Sequence, residues 1–339
     1  MFRIYFKTTF LLAIVLLIIL IGTACSNNTA TSTIADSPAT NTNTVTPSTT
    51  PSPNPSPTPT FTATVTPTAT ATATPTPLVV AAVGDIAICG QEGDDLTAAL
   101  IKNWDNEIII PGDPNNENGT LFEYQKCYEP SWGVYRDKVH TVAGNHDYYS
   151  DPLQNYYAYF GDAAGPPGKG YYSFDLGEWH FIALNSNCGY VLCGPSSDQV
   201  AWLKADLAAN ENTCTLAFWH NPRFSSGLAG DADWLWPFWD EIYASGVDIV
   251  INGHDHHYER FAKINPAGDA DPDLGIREFI VGTGGASLRG LDQIKENSEV
   301  RIIGQYGVLK LILSADSYKW QFINVDGEVL DSGTDQCSK

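Results

Sequence analysis

The chain has 339 residues and a formal net charge of −21, from 18 basic and 39 acidic side chains. The only charged residues before residue 78 are Arg3, Lys7 and Asp36, so residues 78–339 carry 16 basic and 38 acidic residues. Because such an acidic domain repels polyanions, this balance argues against nucleic acid or an anionic membrane surface as a partner.

Residues 1–25 have the order of a secretory signal. Arg3 and Lys7 precede an unbroken apolar run, and small residues lead up to Cys25. The end of the run resembles a bacterial lipoprotein lipobox, in which the cysteine is lipidated, although Gly22 stands where leucine is usual. A plain cleaved signal and an uncleaved anchor are the alternatives. In each case the rest of the chain leaves the cytoplasm, as a cell-surface lipoprotein or a secreted protein.

Residues 26–77 consist almost wholly of Thr, Pro, Ser, Ala and Asn, with Asp36 as the single charged residue. Such a segment has too little apolar surface to offset the entropy of ordering, so it predicts a disordered, semi-rigid tether. The remaining residues, 78–339, are enough for one large domain with a substantial core.

Six cysteines follow Cys25, and an even number in an exported domain predicts a disulfide framework. Cys188 and Cys193 are the most favourable pair, and the other pairings stay open. A structural zinc site of thiolates is the alternative, but the chain has no CxxC motif.

Five apolar runs rich in β-branched residues predict strands that are buried on both faces. They are "LVVAAVGD", "EIIIPGD", "KVHTVAGNHD", "CTLAFWH" and "VDIVINGHDH". Helical patterns lie between several of them, and the one at residues 196–210 begins with a capping box of Ser196 and Gln199. This alternation predicts an α/β layer architecture. After residue 257 strands dominate, which predicts a second, mostly antiparallel sheet.

Each of the five runs ends at a residue that can bind a metal ion. In open α/β sheets, ligand sites form where the carboxyl ends of strands meet loops. One such residue has an ordinary explanation, as a turn-forming aspartate or a core histidine. Five successive strand ends with oxygen or imidazole donors instead predict a metal site. The residues concerned are Asp85, Asp113, Asn145, His146, Asp147, His220, His254 and His256.

The motifs "GDIA", "PGD", "GNHD", "WHNP" and "GHDHHYER", in that order, resemble those of the calcineurin-like metallophosphoesterases. The purple acid phosphatase branch is the more similar one, because of "GNHDYY" and because Ala87 stands where other branches place a histidine ligand. The resemblance implies a four-layer αββα sandwich, with two mixed sheets flanked by helices. It also implies two divalent or trivalent metal ions, of Fe, Zn or Mn.

Position by position, the resemblance implies a role for each of these residues. Asp85 and His256 would bind the first ion, Asp113 would bridge both ions, and Asn145, His220 and His254 would complete the second. His146 would face the substrate, and Asp147 would orient it. A shared carboxylate lowers the repulsion between two cations, and neutral imidazoles suit these metals without adding negative charge. We expect Asp255 to point away from the ions and His257 to lie at the rim or behind the ligands.

Two positions depart from the branch pattern. A tyrosinate that colours the iron(III) enzymes purple would stand three residues after Asp113, where this chain has Asn116. We therefore expect no purple colour and treat Asn116 as an additional candidate ligand, with Asn115 as the alternative after a one-residue shift. The phosphate-facing histidines of the plant enzymes are missing after "HNP", which leaves Arg223 either to clamp a phosphoryl oxygen or to form a surface salt bridge.

The predicted function is hydrolysis of a small phosphate monoester by a metal-activated hydroxide, outside the cytoplasm. Phosphodiester or nucleotide hydrolysis on the same site is the first alternative, and a non-catalytic surface binding protein on a phosphatase scaffold is the second. The aromatic stretch "DWLWPFWDEIY" near His220 predicts core packing, with the wall of a substrate cleft as the alternative. Contact with a membrane is expected only through the N-terminal signal or lipid, and the sequence does not decide the oligomeric state.

Overall fold

The apolar runs predicted as strands form the middle of two sheets in the computed structural model, which describes residues 77–338. The predicted signal, residues 1–25, lies outside the described residues, as does the predicted tether except for Pro77. None of the helices between residues 77 and 338 has both the length and the hydropathy that a membrane span needs.

The first sheet has six strands. In spatial order they are β13 (Val329–Gln336), β12 (Ser317–Asn324), β11 (Gly307–Leu313), β1 (Leu78–Ala82), β2 (Glu107–Ile110) and β3 (Val139–Thr141). The strands β1, β2 and β3 are parallel, so their carboxyl ends lie at one edge. On the other side, β11 pairs antiparallel with β1, with Val80 opposite Leu311.

The second sheet has seven strands. In spatial order they are β10 (Ser298–Ile302), β8 (Tyr258–Ile264), β9 (Ile276–Val281), β7 (Ile249–Asn252), β6 (Cys214–Phe218), β5 (Trp179–Ala183) and β4 (Tyr172–Leu176). Its central strands β5, β6, β7 and β9 are parallel, while β4 and β8 pair antiparallel with their neighbours.

The α-helices are α1 (Gly93–Ile101), α2 (Leu121–Glu123), α3 (Gln154–Phe160), α4 (Asp198–Ala209) and α5 (Trp236–Ala244). A π-helix, Tyr124–Tyr128, continues α2, and short 3-10 helices cover Gly133–Lys138, His146–Tyr148, Gly161–Ala164 and Asp233–Leu235. One apolar core lies between the sheets, and two others pack the helices onto their outer faces. The four-layer αββα sandwich predicted from the sequence is therefore confirmed.

The distribution of strands between the sheets differs from the prediction. The strands after residue 257 do not form a second sheet of their own, because β11 and β12 join β1 whereas β8, β9 and β10 join β7. Consequently the five predicted strand ends come from both sheets. An apolar run indicates that a strand is buried, but it does not indicate which other strand that strand pairs with.

The start of α4 is also shifted by one residue. The N-cap is Ser197, whose Oγ accepts the backbone N–H of Val200 at 3.2 Å, instead of the predicted Ser196. Gln199, predicted to complete a capping box, instead pairs with the backbone of Asn185, accepting its N–H at 2.8 Å and donating to its carbonyl at 3.0 Å. This pair ties α4 to the loop after β5.

All six cysteines of the domain form disulfides. The predicted pair Cys188–Cys193 is confirmed, and the others are Cys89–Cys127 and Cys214–Cys337. None of these six cysteines is therefore a free thiolate for a zinc site, and the alternative considered for them is wrong.

Candidate metal centre

Residues from the ends of five strands meet at one edge of the sandwich. Asp85, Asp113 and His220 follow β1, β2 and β6, and each offers a ligand atom within 4.8 Å of those of the other two. All three side chains are fully buried. Buried carboxylates and imidazoles at this spacing form the kind of cluster that holds a metal ion.

The backbone at three of the strand ends adopts a conformation that L-residues avoid. Asp85, Asp113 and His254 have φ values of 56°, 50° and 69°, and they are three of the five non-glycine residues with positive φ in the described chain. Such a conformation costs on the order of 1 kcal/mol per residue and persists where the surroundings impose it. Here it turns each side chain back toward the shared edge.

Asp85 and His256 form one half of the cluster. The Nε2 atom of His256 lies 3.3 Å from Oδ1 of Asp85, and Oδ2 of Asp85 accepts the backbone N–H of His254 at 2.7 Å. The Nδ1 atom of His256 lies 2.7 Å from the carbonyl oxygen of Ser287, which orients Nε2 toward the aspartate. Although burial opposes ionisation, the positive charge of His256 and its hydrogen bond lower the pKa of Asp85.

The other half is centred on His220. Its Nε2 atom lies 3.1 Å from Oδ2 of Asp113, 3.0 Å from Oδ1 of Asn145 and 3.2 Å from Nδ1 of His254. Its Nδ1 atom lies 3.0 Å from the carbonyl oxygen of Pro111, so a backbone contact again orients Nε2 inward.

The electrostatics of this half favour a positive charge at its centre. Burial disfavours the protonated form of His220, but the nearby Asp113 carboxylate outweighs it and raises the pKa of His220 to about 9. Burial and the charge of His220 lower the pKa of His254 to about 4. A bound cation would replace the proton on His220, so metal binding should release protons.

Two glycines leave room for the ligand side chains. A Cβ on Gly144 would lie 2.1 Å from Oδ1 of Asp113, and a Cβ on Gly112 would lie 2.4 Å from Nδ1 of His220. Gly112 also has a φ of 92°, which disfavours other residues. Close approach thus requires glycine before Asp113 and before Asn145, and the turn also favours it at Gly112.

Asn116 lies inside the cluster. Its side-chain nitrogen is 3.1 Å from Oδ1 of Asp85 and 3.1 Å from Oδ2 of Asp113. In this rotamer Asn116 donates to both carboxylates, and its oxygen would face a cation after the amide turns over. Asn115 instead uses its Oδ1 to accept the N–H of Glu117 at 3.1 Å, so Asn116 is the one that occupies the position between the carboxylates.

The donor set fits two cations. It comprises two buried carboxylates, three imidazoles and an amide oxygen, with Asp113 close to the His220 half and linked to Asp85 through Asn116. Hard oxygen donors combined with imidazole suit Zn, Fe or Mn better than Ca or Mg.

The family model for calcineurin-like phosphoesterases matches residues 78–258, which span every one of these donors. The chain belongs to the calcineurin-like phosphoesterase family. Among curated relatives, purple acid phosphatase 15 of Arabidopsis thaliana is 28% identical over 243 residues, 61% of this chain and 44% of the relative. Probable purple acid phosphatase 20 of the same plant is 26% identical over 281 residues, 74% of this chain and 62% of the relative.

The chain thus spans about half the length of the curated relatives it matches. Among solved structures, a purple acid phosphatase from yellow lupin (Lupinus luteus) seeds superposes with a TM-score of 0.63 at 20% identity, over 76% of this chain and 53% of that chain. GAP50, the anchor in the inner membrane complex of Plasmodium, superposes with a TM-score of 0.59 at 19% identity, over 78% and 90%. These two structures show the shared calcineurin-like fold, and the predicted family and purple acid phosphatase-like branch are confirmed.

Family resemblance assigned Asp147 to orient His146, and the structure places the two side chains differently. The Nδ1 atom of His146 lies 2.6 Å from the carbonyl oxygen of Glu117, and its Nε2 atom lies 4.0 Å from Oδ2 of Asp113. Asp147 turns away, where its carboxylate accepts the N–H of Gly144 at 2.7 Å and the hydroxyl of Tyr124. The orienting role predicted for Asp147 is therefore wrong, because the short 3-10 turn sends consecutive side chains in different directions.

Arg223 also has a partner of its own. Its Nη1 atom lies 2.6 Å from Oδ1 of Asp233, and the guanidinium lies over the ring of Phe224 at 4.6 Å. Of the two roles considered for Arg223, the structure shows the salt bridge.

The rest of the "GHDHHYER" motif braces the loop from behind. Asp255 points away from the cluster as expected and binds Ser225 and the N–H of Ala229. His257 is fully buried, with Nε2 3.0 Å from Glu259, which places it behind the ligands and not at the rim. Arg260 pairs with Asp331 of β13 at 2.8 Å.

Sequence reasoning missed the residues beside the centre. The loop after β5, closed by Cys188–Cys193, brings Ser186, Asn187 and Tyr190 next to Asn145. Trp234 of the aromatic stretch joins them, whereas Phe238 and Trp239 of the same stretch are buried in the core. The aromatic stretch was the one signal for this region: Phe238 and Trp239 pack in the core as predicted, and Trp234 lines a cavity beside Asn145.

Proposed function

We propose that this protein is an extracytoplasmic phosphoesterase that hydrolyses phosphate monoesters with a pair of metal ions held at the candidate metal centre. The observation that carries the proposal is the convergence of Asp85, Asp113, Asn145, His220, His254 and His256 in one buried cluster. Membership in a phosphoesterase family and relatives named acid phosphatases support the reaction and the monoester class.

When bound, the two cations supply Lewis acidity to the phosphoryl group and lower the pKa of water to near neutrality. The chain's own contribution is to keep the donors in place before substrate arrives. Backbone carbonyls of Pro111 and Ser287 fix the rings of His220 and His256, and strained turns fix Asp85 and Asp113. Such preorganisation avoids reorganisation cost during the reaction.

His146 is the group positioned for proton transfer. Its Nδ1 atom is held by the Glu117 carbonyl, so its Nε2 atom faces the edge of the centre, 4.0 Å from Asp113. In the protonated form this Nε2–H can donate to a phosphoryl oxygen or to the departing alkoxide. Attack by water forms the new P–O bond as the ester P–O bond breaks, and the alcohol leaves with the proton from His146. The proton lost by the water restores the protonated imidazole.

The decisive experiment is metal analysis of the full chain together with hydrolysis of p-nitrophenyl phosphate and bis(p-nitrophenyl) phosphate. We expect two ions per chain, activity on the monoester, and loss of both metal and activity in Asp113→Asn. Asp105→Asn is the matched control, since Asp105 is fully exposed. Metal binding without hydrolysis of either ester would favour a binding protein, and faster diester hydrolysis would reassign the substrate class.

The location outside the cytoplasm rests on the signal-like residues 1–25 and on three disulfides, which form in oxidising compartments. Fractionation of cells with and without Cys25→Ser tests it. We expect the wild-type chain on the membrane and the variant released from it. Recovery of the wild-type protein in the cytoplasm would contradict the location.

A further inference from the structure

A cavity of about 370 Å³ adjoins the metal centre. Asn145, a candidate ligand, forms one side of it, and the other sides include Ser186, Asn187, Tyr190, Asn221 and Trp234. Because Asn145 belongs to both, the cavity borders the place where a phosphoryl group would bind at the ions.

The walls of the cavity are held in place before any ligand binds. The Cys188–Cys193 disulfide closes the loop that carries Tyr190, and the ring of Tyr190 stacks on Tyr148 with 4.1 Å between centroids. Ser186 donates to Oδ1 of Asn221 at 2.8 Å and accepts the backbone N–H of Asn221 at 3.0 Å. A preorganised wall lowers the entropy cost of binding.

The chemistry of the walls is aromatic and neutral. Tyr190 is 60% exposed and Trp234 is 54% exposed, so both present ring surface to the cavity at a cost in hydration. The lining contains serine and asparagine but neither lysine nor arginine. Arg223, which follows the lining residue Asn221 by two positions, is paired with Asp233. A second phosphate on the alcohol would find no counter-charge here.

We propose that this cavity binds the alcohol part of the substrate, and that the preferred substrates are monophosphate esters whose alcohol carries an uncharged aromatic ring. Trp234 is the specificity-determining residue, stacking on that ring. The side-chain nitrogen of Asn187 already donates to the carbonyl of Ala143 and to Oδ1 of Asn185, and Oδ1 of Asn221 accepts from Ser186. The side-chain oxygen of Asn187 and the side-chain nitrogen of Asn221 therefore hydrogen-bond to polar groups on the alcohol. This inference rests on the proposed function.

The test compares 2-phenylethyl phosphate with propyl phosphate, two esters of primary alcohols with similar leaving groups. The wild-type, metal-loaded chain should show a kcat/KM about tenfold higher for the phenylethyl ester, as one stacking contact predicts. Trp234→Ala should reduce this ratio to near one by acting on the phenylethyl ester alone. Trp236→Ala is the matched control, because Trp236 is 46% exposed and does not line the cavity.

Equal kcat/KM values for the two esters in the wild-type chain would overturn the inference and leave the proposed function standing. If the metal-loaded chain hydrolyses neither ester, p-nitrophenyl phosphate decides the proposed function, and binding of the matching phosphonates decides the cavity. Tighter binding of 2-phenylethylphosphonate than of propylphosphonate, lost in Trp234→Ala, would support the inference on its own. Equal binding would overturn it.

Discussion

The side-chain nitrogen of Asn116 lies 3.1 Å from Oδ1 of Asp85. The resemblance to purple acid phosphatases places a tyrosinate at this residue. We predict that the iron-loaded wild-type chain lacks an intense visible absorption band and that Asn116→Tyr gains one, because a phenolate bound to iron(III) absorbs by charge transfer. Absorption spectra after loading with iron measure this. Asn116→Phe, which adds the ring without the hydroxyl, should stay colourless. An intense band in the wild type would show that another phenolate reaches the metal.

The close approach of Gly144 to Asp113 predicts a strong effect from a single methyl group. In Gly144→Ala the new Cβ would lie 2.1 Å from Oδ1 of Asp113, so the carboxylate must move. We expect metal affinity to fall on the order of tenfold to a hundredfold, as for other changes that disturb a ligand's position. Titration calorimetry with the metal-free chain measures it. Gly194→Ala, whose Cβ would meet nothing within 4 Å, should bind as the wild type does.

His146→Ala should separate chemistry from metal binding. Nε2 of His146 faces the centre but lies 4.0 Å from Asp113, so its loss should leave both ions in place. We expect hydrolysis of p-nitrophenyl phosphate to fall by roughly 10²-fold or more, as for removal of a proton-transfer group. His140→Ala, which alters a ring stacked on Phe174, is the control for losing a histidine. Full activity of His146→Ala would refute the assigned role.

The contact between Asp147 and Tyr124 predicts a stability effect in place of the predicted catalytic one. Asp147→Ala leaves the Gly144 N–H and the Tyr124 hydroxyl without a buried partner, which should cost about 1–3 kcal/mol of unfolding free energy. Tyr124→Phe should also destabilise, and the two losses should not add, because the groups touch. Urea unfolding of the single and double variants measures this.

Tyr135 provides a control for the double variant of Asp147 and Tyr124. Its hydroxyl donates to the carbonyl of Ala98 at 2.8 Å and not to Asp147. Tyr135→Phe combined with Asp147→Ala should give additive losses. Additive losses for Tyr124→Phe would mean that the hydroxyl and the carboxylate do not interact in solution.

His180 predicts how stability depends on pH away from the metal centre. Its Nδ1 and Nε2 atoms lie 2.7 Å from Asp175 and 2.9 Å from Asp206, which links β5 to β4 and to α4. Burial opposes protonation, but the hydrogen bonds to Asp206 and Asp175 outweigh it and raise the pKa of His180. Its stabilising effect is therefore complete below the ordinary histidine pKa of about 6.5 and is lost as pH rises through the raised value.

Urea unfolding of wild type and His180→Gln should thus differ more at about pH 5.5 than at about pH 9. His140→Gln should behave in the opposite way, because burial lowers the pKa of His140 to about 4. The stabilising effect of His140 is complete above the ordinary histidine pKa of about 6.5 and is lost as pH falls from there toward the lowered pKa of about 4. A pH-independent difference for His180→Gln would show that folding does not shift the pKa of His180.

The local pattern of the sequence determined which residue types stand at the ends of the buried strands. Burial and hydrogen-bonding chemistry act on each strand separately, so the apolar runs and the donors after them can be recognised one at a time. The α/β layers, a metal site at the strand ends and the Cys188–Cys193 pair were predictable in this way. The four-layer sandwich and the role of each ligand from Asp85 to His256 came from the resemblance to a known family. Asn116 was marked as unusual by the resemblance to purple acid phosphatases, which places a tyrosinate three residues after Asp113.

Only the tertiary structure decided which strands pair with each other and which side chains contact each other. It determined that β11 pairs with β1, that Asp147 faces Tyr124 and not His146, and that Arg223 is taken by Asp233. It also separated Trp234, which lines a cavity, from Trp239, which is buried five residues later. These contacts join residues whose pairing depends on how distant segments pack, and no local pattern encodes that geometry. The sequence by itself thus determined the donors and their order, and packing decided which atoms face the substrate.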